Sequence, residues 1–107
     1  VLVDGVPHYS CSMLTHQVRG RTVQTIEGLE EADGTLHPVQ QAVVDEQGFQ
    51  CAFCMPGFVM NMVALVEENP NATRAEAAQY LSGNLCRCAD YNKILNVAER
   101  AAELSRS

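Results

Sequence analysis

The chain has 107 residues, of which 47% are hydrophobic and 19% charged, a composition typical of one globular domain and unlike that of a disordered segment. Thirteen acidic and seven basic residues give a net charge of −6, and no run of Lys or Arg is present, which argues against nucleic-acid binding through phosphate contacts. The most apolar stretch, GFVMNMVALVEE, contains Asn61 and ends in two glutamates, so it is too short to span a membrane.

The N-terminal segment predicts a β-hairpin. VLVDGVPHY has two short apolar runs around Asp4 and Gly5, a signal for a type I′ turn. Because an isolated hairpin is only marginally stable, we expect it to belong to a sheet whose other strands are absent from this sequence. The chain starts without Met and without a basic signal-peptide region, and we expect it to be a piece of a longer protein.

Two segments follow the hairpin. SCSMLTHQVRG predicts a short helix that is capped by Ser10 or Ser12 and ended by Gly20. RTVQTIEGL is expected to be extended or irregular, because its apolar residues fit neither the helical nor the strand period.

Four helices are predicted in the rest of the chain, from their proline or polar starts and their glycine or proline ends. They are PVQQAVVDEQ, with Gly48 as its terminator, a segment from near Pro56 to before Pro70, a segment from a capping box at Thr73 to Gly83, and YNKILNVAERAAEL. The second should bury Val59, Met62, Val63 and Val66, and the fourth should bury Tyr91, Ile94, Leu95, Ala98, Ala101 and Ala102.

Four of the five cysteines stand just before two of these helices. Cys51 and Cys54 precede the second helix, and Cys86 and Cys88 precede the fourth. Alternate side chains of an extended segment share a side, so the thiols of the second pair can face one point. Positive helix ends and free backbone N–H groups would surround the sulfur atoms and favour thiolates. The sequence therefore predicts a four-cysteine metal centre.

The residues alone leave the kind of centre open. Zinc and iron–sulfur clusters both accept four cysteines, although C-x-C is unusual for a zinc finger or ribbon. A thioredoxin-like thiol pair would leave Cys86 and Cys88 unexplained and lacks a βαβ context. An odd number of cysteines and a chain able to build its own core both disfavour a disulfide framework.

The order of the motifs DGVPHYSC, TIEGL, LHPVQQA, QCAFCMPG, LSGNLCRC and Y-x-x-I resembles the iron–sulfur subunits of molybdenum hydroxylases. That family includes xanthine dehydrogenase, aldehyde oxidoreductase and aerobic carbon monoxide dehydrogenase, and the resemblance covers nearly the whole chain. Its members carry one [2Fe–2S] cluster in a plant-type ferredoxin domain and one in a helical domain. The resemblance implies an all-α, four-helix-bundle-like cluster domain at 12–107, preceded at 1–11 by the last hairpin of the ferredoxin domain.

The resemblance also implies roles for the cysteines. Cys51, Cys54, Cys86 and Cys88 would hold the cluster nearer the molybdenum. Cys11 matches the last ligand of the ferredoxin-type cluster, whose other three ligands would lie upstream of this sequence, so Cys11 would bind a cluster only in the full-length protein.

By the same resemblance, Gln50 and Cys88 match positions that approach the molybdopterin of a large partner subunit. Electrons would pass from that centre through this cluster to the second cluster and on to FAD in a flavin-binding subunit. The chain itself would contain no substrate-converting site and no catalytic residue. We expect a cytoplasmic location, or a periplasmic one if a twin-arginine signal lies upstream. The competing class is a structural zinc module in an interaction protein.

Two departures from the family pattern stand beside the ligands. Ala52 and Met55 replace the usual Gly and Thr of C-G-F-C-T-P-G, and Ala89 and Asp90 stand before Tyr91 where the family usually has Thr-Gly. We expect Asp90 to cap the fourth helix and its carboxylate to disfavour the reduced cluster.

Two further expectations concern residues outside the ligand set. His8, His16 and His37 have no spacing typical of a metal site, and His37, just before Pro38, should be a turn or cap residue. An apolar patch should be exposed around Gln50 and the Cys86–Cys88 segment, where the resemblance implies contact with the molybdenum subunit.

Overall fold

A computed structural model describes residues 1–107 as a small sheet beside four helices. The sheet consists of β1 (Leu2–Val3), β2 (Val6–Pro7) and β3 (Val23–Gln24), and the helices are α1 (Pro38–Glu46), α2 (Met55–Glu68), α3 (Arg74–Tyr80) and α4 (Tyr91–Arg106).

The predicted hairpin is present, and its turn has the predicted geometry. Both central residues have positive φ, 50° at Asp4 and 81° at Gly5, as a type I′ turn requires. The strands pair antiparallel with Val3 opposite Val6. The hairpin is the N-terminal part of the sheet.

The expectation of an all-α fold is only partly right, because β3 joins the hairpin to make a three-stranded antiparallel sheet in the order β2-β1-β3. The hairpin turn holds this third strand in place. The carboxylate of Asp4 accepts the N–H of Thr22 at 2.9 Å, and the N–H of Asp4 donates to the carbonyl of Thr22 at 2.8 Å. Val3 then stands opposite Val23. A two-residue strand is too short to show a period in sequence, so this pairing was missed.

The short helix predicted between Ser10 and Gly20 was wrong. Two separate 3-10 turns form there, at Ser10–Ser12 and Thr15–Val18, and neither has a serine cap. No residue of either turn is buried, so no apolar face packs on the core to stabilise a longer helix.

Helix α2 is the centre of the core. The four residues predicted on its inner face are all buried, and so are five more, because this helix is apolar on nearly every side and is covered by the sheet and the other helices. Its buried residues are Met55, Phe58, Val59, Met60, Met62, Val63, Ala64, Leu65 and Val66.

Helix α1 begins at Pro38 as predicted and packs mainly against α4. It ends one residue earlier than predicted, because Gln47 adopts the left-handed conformation, with φ at 49°. Gly48 is needed for a different reason. A Cβ at this position would overlap the side chain of Val97 and lie 3.2 Å from the carbonyl oxygen of Lys93, so the glycine allows α4 to approach. The chain then turns into the first cysteine pair.

The last two helices follow the sequence prediction closely. The capping box at the start of α3 is confirmed: Thr73 Oγ1 accepts the N–H of Glu76, and the Glu76 carboxylate accepts the N–H of Thr73. In α4 the predicted stripe is buried except at two positions: Tyr91 is 41% exposed and Leu95 is half-buried. None of the helices combines the length and apolar character that crossing a bilayer requires.

Candidate metal centre

Two short loops bring the four predicted cysteines together. The first loop is residues 50–54, directly before α2, and the second loop is residues 85–90, directly before α4. The Sγ atoms of Cys51 and Cys88 lie 3.5 Å apart, and the side chains of Cys54 and Cys86 are hydrogen-bonded to each other. Each sulfur pair therefore takes one cysteine from each loop.

The second loop forms a pocket of backbone N–H groups around the sulfur of Cys86. This cysteine is only 6% exposed, and its Sγ accepts hydrogen bonds from the backbone N–H groups of Asp90, Cys88 and Ala89. Ala89, within this loop, has the left-handed conformation, with φ at 58°. The hydrogen bond from Asp90, with smaller ones from Cys54, Cys88 and Ala89, lowers the pKa of Cys86 despite its burial. Cys86 is therefore the cysteine best prepared to be a thiolate.

The first loop is more open to solvent. Cys51 is exposed, and Phe53 is 92% exposed. Burial, together with the hydrogen bond and charge of Cys86, raises the pKa of the Cys54 thiol to about 11. The proton of this pair accordingly stays on Cys54. A metal ion that replaced the proton would have both sulfur atoms as ligands.

The more exposed pair, Cys51 and Cys88, is called here the outer sulfur pair, and the pKa of Cys88 has different causes. The backbone N–H of Cys51 donates to the sulfur of Cys88, which lowers the pKa of Cys88, but the side-chain hydrogen bond with Cys51, burial and the neighbouring thiols raise it overall. No backbone pocket like that around Cys86 surrounds this pair. It is the pair nearer to solvent.

The arrangement in two pairs distinguishes between the candidate centres. A structural zinc ion needs all four thiolates around one point, whereas a [2Fe–2S] cluster takes two thiolates on each of its two irons. The two sulfur pairs, each with one cysteine from each loop, match the second arrangement, with one pair for each iron.

The predicted side-chain cap by Asp90 was wrong. Asp90 occupies the N-cap position of α4, but its carboxylate makes no capping hydrogen bond, and its Oδ2 is buried without a partner. The backbone there, with φ at −87° and ψ at 32°, is not in the extended region that a capping side chain requires. Its N–H is directed instead at the sulfur of Cys86.

Two hydrogen bonds that tie the second loop and the residue just before it, Asn84, to the helices were not predicted. Tyr91 Oη accepts the backbone N–H of Cys86 at 2.9 Å, and Asn61 Nδ2 donates to Asn84 Oδ1 at 2.7 Å. An asparagine on an otherwise apolar helix was a signal for the second, because a half-buried amide needs a partner. The first has no sequence signal beyond the closeness of Tyr91 to the cysteines.

Exposed apolar side chains lie in and beside both loops, as predicted. Phe53 in the first loop is 92% exposed, Leu85 in the second is 73% exposed, and Phe49 is 43% exposed. Gln50 is also exposed. The structure thus leaves the surroundings of the outer sulfur pair unusually apolar for a surface.

The histidines and Cys11 lie outside this centre. His37 is the N-cap of α1: its Nδ1 accepts the N–H of Val39 at 3.1 Å, which confirms its predicted cap role. His8, His16 and Cys11 are exposed, and none of them joins the four thiols.

Comparison with known proteins places this chain among iron–sulfur proteins. Residues 25–99 match the family described as [2Fe-2S] binding domain. The chain is 42% identical over 106 residues to one of the subunits of nicotinate dehydrogenase from Pseudomonas putida, covering 99% of this chain and 67% of that one. It is 43% identical over 95 residues to the nicotine 6-hydroxylase small subunit of Paenarthrobacter nicotinovorans, covering 89% of this chain and 56% of that one.

Solved structures agree with the fold. Quinoline 2-oxidoreductase from Pseudomonas putida 86 superposes with a TM-score of 0.88 at 34% identity, covering 98% of this chain and 65% of that one. Aldehyde oxidoreductase from Desulfovibrio desulfuricans superposes with a TM-score of 0.86 at 31% identity, covering 98% of this chain and 12% of that one. The chain thus spans between about half and two thirds of the small subunits that it matches and a small part of the larger enzyme.

Proposed function

Because the chain belongs to the [2Fe–2S]-binding domain family of the molybdenum hydroxylases, we propose that it holds one [2Fe–2S] cluster and carries electrons within a larger molybdenum-containing oxidoreductase. The observation that carries the proposal is the meeting of four thiols, as two pairs, at the starts of α2 and α4. The zinc alternative has no support from the family match.

The four cysteines would each contribute one thiolate. We assign Cys51 and Cys88 to one iron and Cys54 and Cys86 to the other, because these are the sulfur pairs in contact. The N–H groups of the second loop would stabilise negative charge on the Cys86 side, and solvent would stabilise it on the Cys51 side. When bound, the cluster supplies one-electron transfer without making or breaking bonds in a substrate.

The partner side of the proposal concerns the exposed edge of the centre. Cys88 and the exposed Gln50 would face the molybdopterin of a large subunit, and the apolar side chains of Phe53 and Leu85 would be covered by that contact. Electrons would enter at this edge and leave toward a second cluster and then toward FAD in a flavin-binding subunit. The complex would be located in the cytoplasm. Catalysis at a substrate would belong entirely to the partner.

The domain division is proposed as well. Residues 1–11 would be the end of a ferredoxin-like domain and 12–107 the helical cluster domain, with Cys11 a ligand of the second cluster only in a full-length subunit. The short pairing of β3 with β1 would then connect the two parts.

The cluster itself is tested by purifying the chain without oxygen and measuring iron, sulfide and zinc, with absorption and electron paramagnetic resonance spectra before and after dithionite. We expect a red-brown protein with iron and sulfide in equal amounts, which bleaches on reduction and gives a paramagnetic signal. A colourless protein that contains zinc in place of iron would overturn the proposal.

The electron-entry edge is tested in a complex reconstituted with a molybdenum subunit. Gln50→Ala should leave the absorption spectrum unchanged but slow the reduction of the cluster by the molybdenum centre. Gln79→Ala, at an exposed position on α3, is the matched control and should transfer electrons at the wild-type rate. An unchanged rate in Gln50→Ala would remove Gln50 from this edge while leaving the cluster assignment intact.

A further inference from the structure

We propose that Tyr91 is a positioning residue for the cluster: its hydroxyl and ring together fix Cys86 relative to Cys54 and so determine how firmly this pair holds its iron. The proposal rests on the cluster function proposed above, and it concerns residues of this chain only.

The first contact is between the Tyr91 hydroxyl and the backbone of Cys86. Cys86 is buried, so its N–H requires an acceptor, and Tyr91 Oη provides one at 2.9 Å. The carbonyl oxygen of Cys86 accepts the N–H of Ala89 at 3.0 Å. Both backbone polar groups of Cys86 are therefore held, which fixes the position from which its side chain reaches the centre.

The second contact is between aromatic rings. The ring of Tyr91 meets that of Phe58 edge to face, with centroids 6.5 Å apart and planes at 70°. Phe58 is only 2% exposed and lies one turn into α2. Its own N–H donates to the carbonyl oxygen of Cys54 at 3.2 Å. Tyr91 thus contacts the buried ring of Phe58, and the backbone of Phe58 is hydrogen-bonded to that of Cys54.

These contacts form a continuous link from Cys54 through Phe58 and Tyr91 to Cys86. The two cysteines at its ends are the ones whose side chains are hydrogen-bonded to each other. Cys51 and Cys88 have no such link; their N–H groups donate to cysteine sulfur atoms, whereas that of Cys86 donates to a tyrosine hydroxyl. Tyr91 therefore acts on one sulfur pair and not on the other.

Removing the hydroxyl alone tests this role. Tyr91→Phe keeps the ring against Phe58 but leaves the buried N–H of Cys86 without its acceptor. We expect the cluster to be released to a chelator such as EDTA roughly 5- to 30-fold faster than in the wild type, the factor that corresponds to one unsatisfied buried donor. We also expect a changed electron paramagnetic resonance line shape of the reduced cluster, because the orientation of a ligand has changed.

Tyr80→Phe is the matched control. Tyr80 is half-buried, somewhat less exposed than Tyr91, and its hydroxyl contacts Glu68 rather than a cysteine loop. This variant should release its cluster at the wild-type rate with an unchanged line shape, and the melting temperature of both variants shows whether folding itself is affected.

The outcomes separate the hypotheses. Fast release and a changed line shape in Tyr91→Phe alone would support the positioning role. Wild-type release in Tyr91→Phe, equal effects in both variants, or a lowered melting temperature with an unchanged line shape would overturn it. A wild-type chain that binds no iron would overturn the proposed function, and with it this inference.

Discussion

The two cysteine loops each bring two thiols to the centre, but they differ in burial and in hydrogen bonding. In the second loop, Cys86 is buried, and its sulfur accepts hydrogen bonds from three backbone N–H groups. The N–H of Cys86 donates to the hydroxyl of Tyr91. In the first loop, Cys51 is exposed and Phe53 is almost entirely in solvent. Hydrogen bonds thus hold one side of the centre, while the other side is left open.

The difference indicates a division of roles between stability and contact. A group that must pass electrons to a partner has to lie near the surface, but thiolates need a fixed and polar environment to bind iron. Placing the N–H pocket on the Cys86 side and the open face on the Cys51 side meets both needs. Both loops nevertheless have a left-handed alanine directly after a cysteine, Ala52 with φ at 65° and Ala89 with φ at 58°.

The strongest test of the comparison replaces one ligand in each loop by serine. Cys86→Ser should lose nearly all iron and visible absorption, because a buried hydroxyl in that pocket does not ionise as the thiol does, and metal binding contributes to folding. Cys51→Ser should keep part of its iron, since solvent can supply a replacement oxygen ligand at the exposed position. Iron content and thermal unfolding measure both effects.

Cys54→Ser provides the control for the sulfur pairing. It should lose iron as Cys86→Ser does, because the two cysteines share one pair. Full iron content in Cys54→Ser or Cys86→Ser would show that the ligands are assigned wrongly, and equal losses in Cys51→Ser and Cys86→Ser would remove the contrast between the exposed and the buried sulfur pair.

The sequence predicted the helices and the meeting of the four cysteines well, for identifiable reasons. The capping box at Thr73, Pro38 at the start of α1 and the apolar stretch of α2 are local signals, and each helix appeared within a few residues of its expected bounds. The cysteine spacing likewise placed both sulfur pairs at helix starts.

What the sequence did not predict depends on distant contacts. Strand β3 exists because the turn at Asp4 binds residue Thr22, and Asp90 fails as a side-chain cap because its N–H turns to Cys86. The hydroxyl of Tyr91 on a ligand backbone depends on how α4 meets the second loop. None of these has a periodic pattern, so only the folded arrangement reveals them.

A smaller effect is expected at the two left-handed alanines. Because this conformation costs an L-residue roughly 1–2 kcal/mol and glycine almost nothing, Ala52→Gly and Ala89→Gly should each stabilise the fold by about 1 kcal/mol after the entropy cost of glycine. Chemical denaturation of the cluster-free chain measures it without interference from iron.

The matched control is Ala75→Gly, at an exposed position within α3, where φ is helical and glycine should instead destabilise by about 1 kcal/mol. Destabilisation by Ala52→Gly or Ala89→Gly of the size seen at Ala75 would show that the loops carry no backbone strain. A gain in only one loop would locate the strain in that loop.

Acidification should destabilise helix α1, which precedes the first loop, because His37 is the N-cap of this helix. Burial lowers the pKa of His37 below its ordinary value of 6.5, although Glu67 and Glu31 oppose this, and its Nδ1 must be unprotonated to accept the N–H of Val39. The unfolded chain therefore binds the proton more readily, and the free energy of unfolding should fall as the pH drops below about 6.5 and level off below the folded-state pKa.

His37→Asn separates this effect from other titrations. Asparagine is a good N-cap and does not titrate, so the variant should unfold at a similar denaturant concentration at neutral pH and lose less stability in acid than the wild type. Identical pH profiles would mean that the protonation of His37 does not affect stability.

The smallest effect is expected at Cys11, the cysteine that belongs to neither loop. It is exposed, the only polar side-chain contact of its Sγ is Ser12 Oγ at 3.9 Å, and it lies outside both sulfur pairs. Cys11→Ser should leave iron content, absorption and unfolding unchanged in this chain. Alkylation of the cluster-bound wild type with iodoacetamide should modify Cys11 first, since the other four thiols would be bound to iron, and the Ser variant should resist it. If Cys11→Ser bleached the protein, the cysteine outside the loops would be a ligand. The assignment of the four ligands to the two loops, and the comparison built on it, would then be wrong.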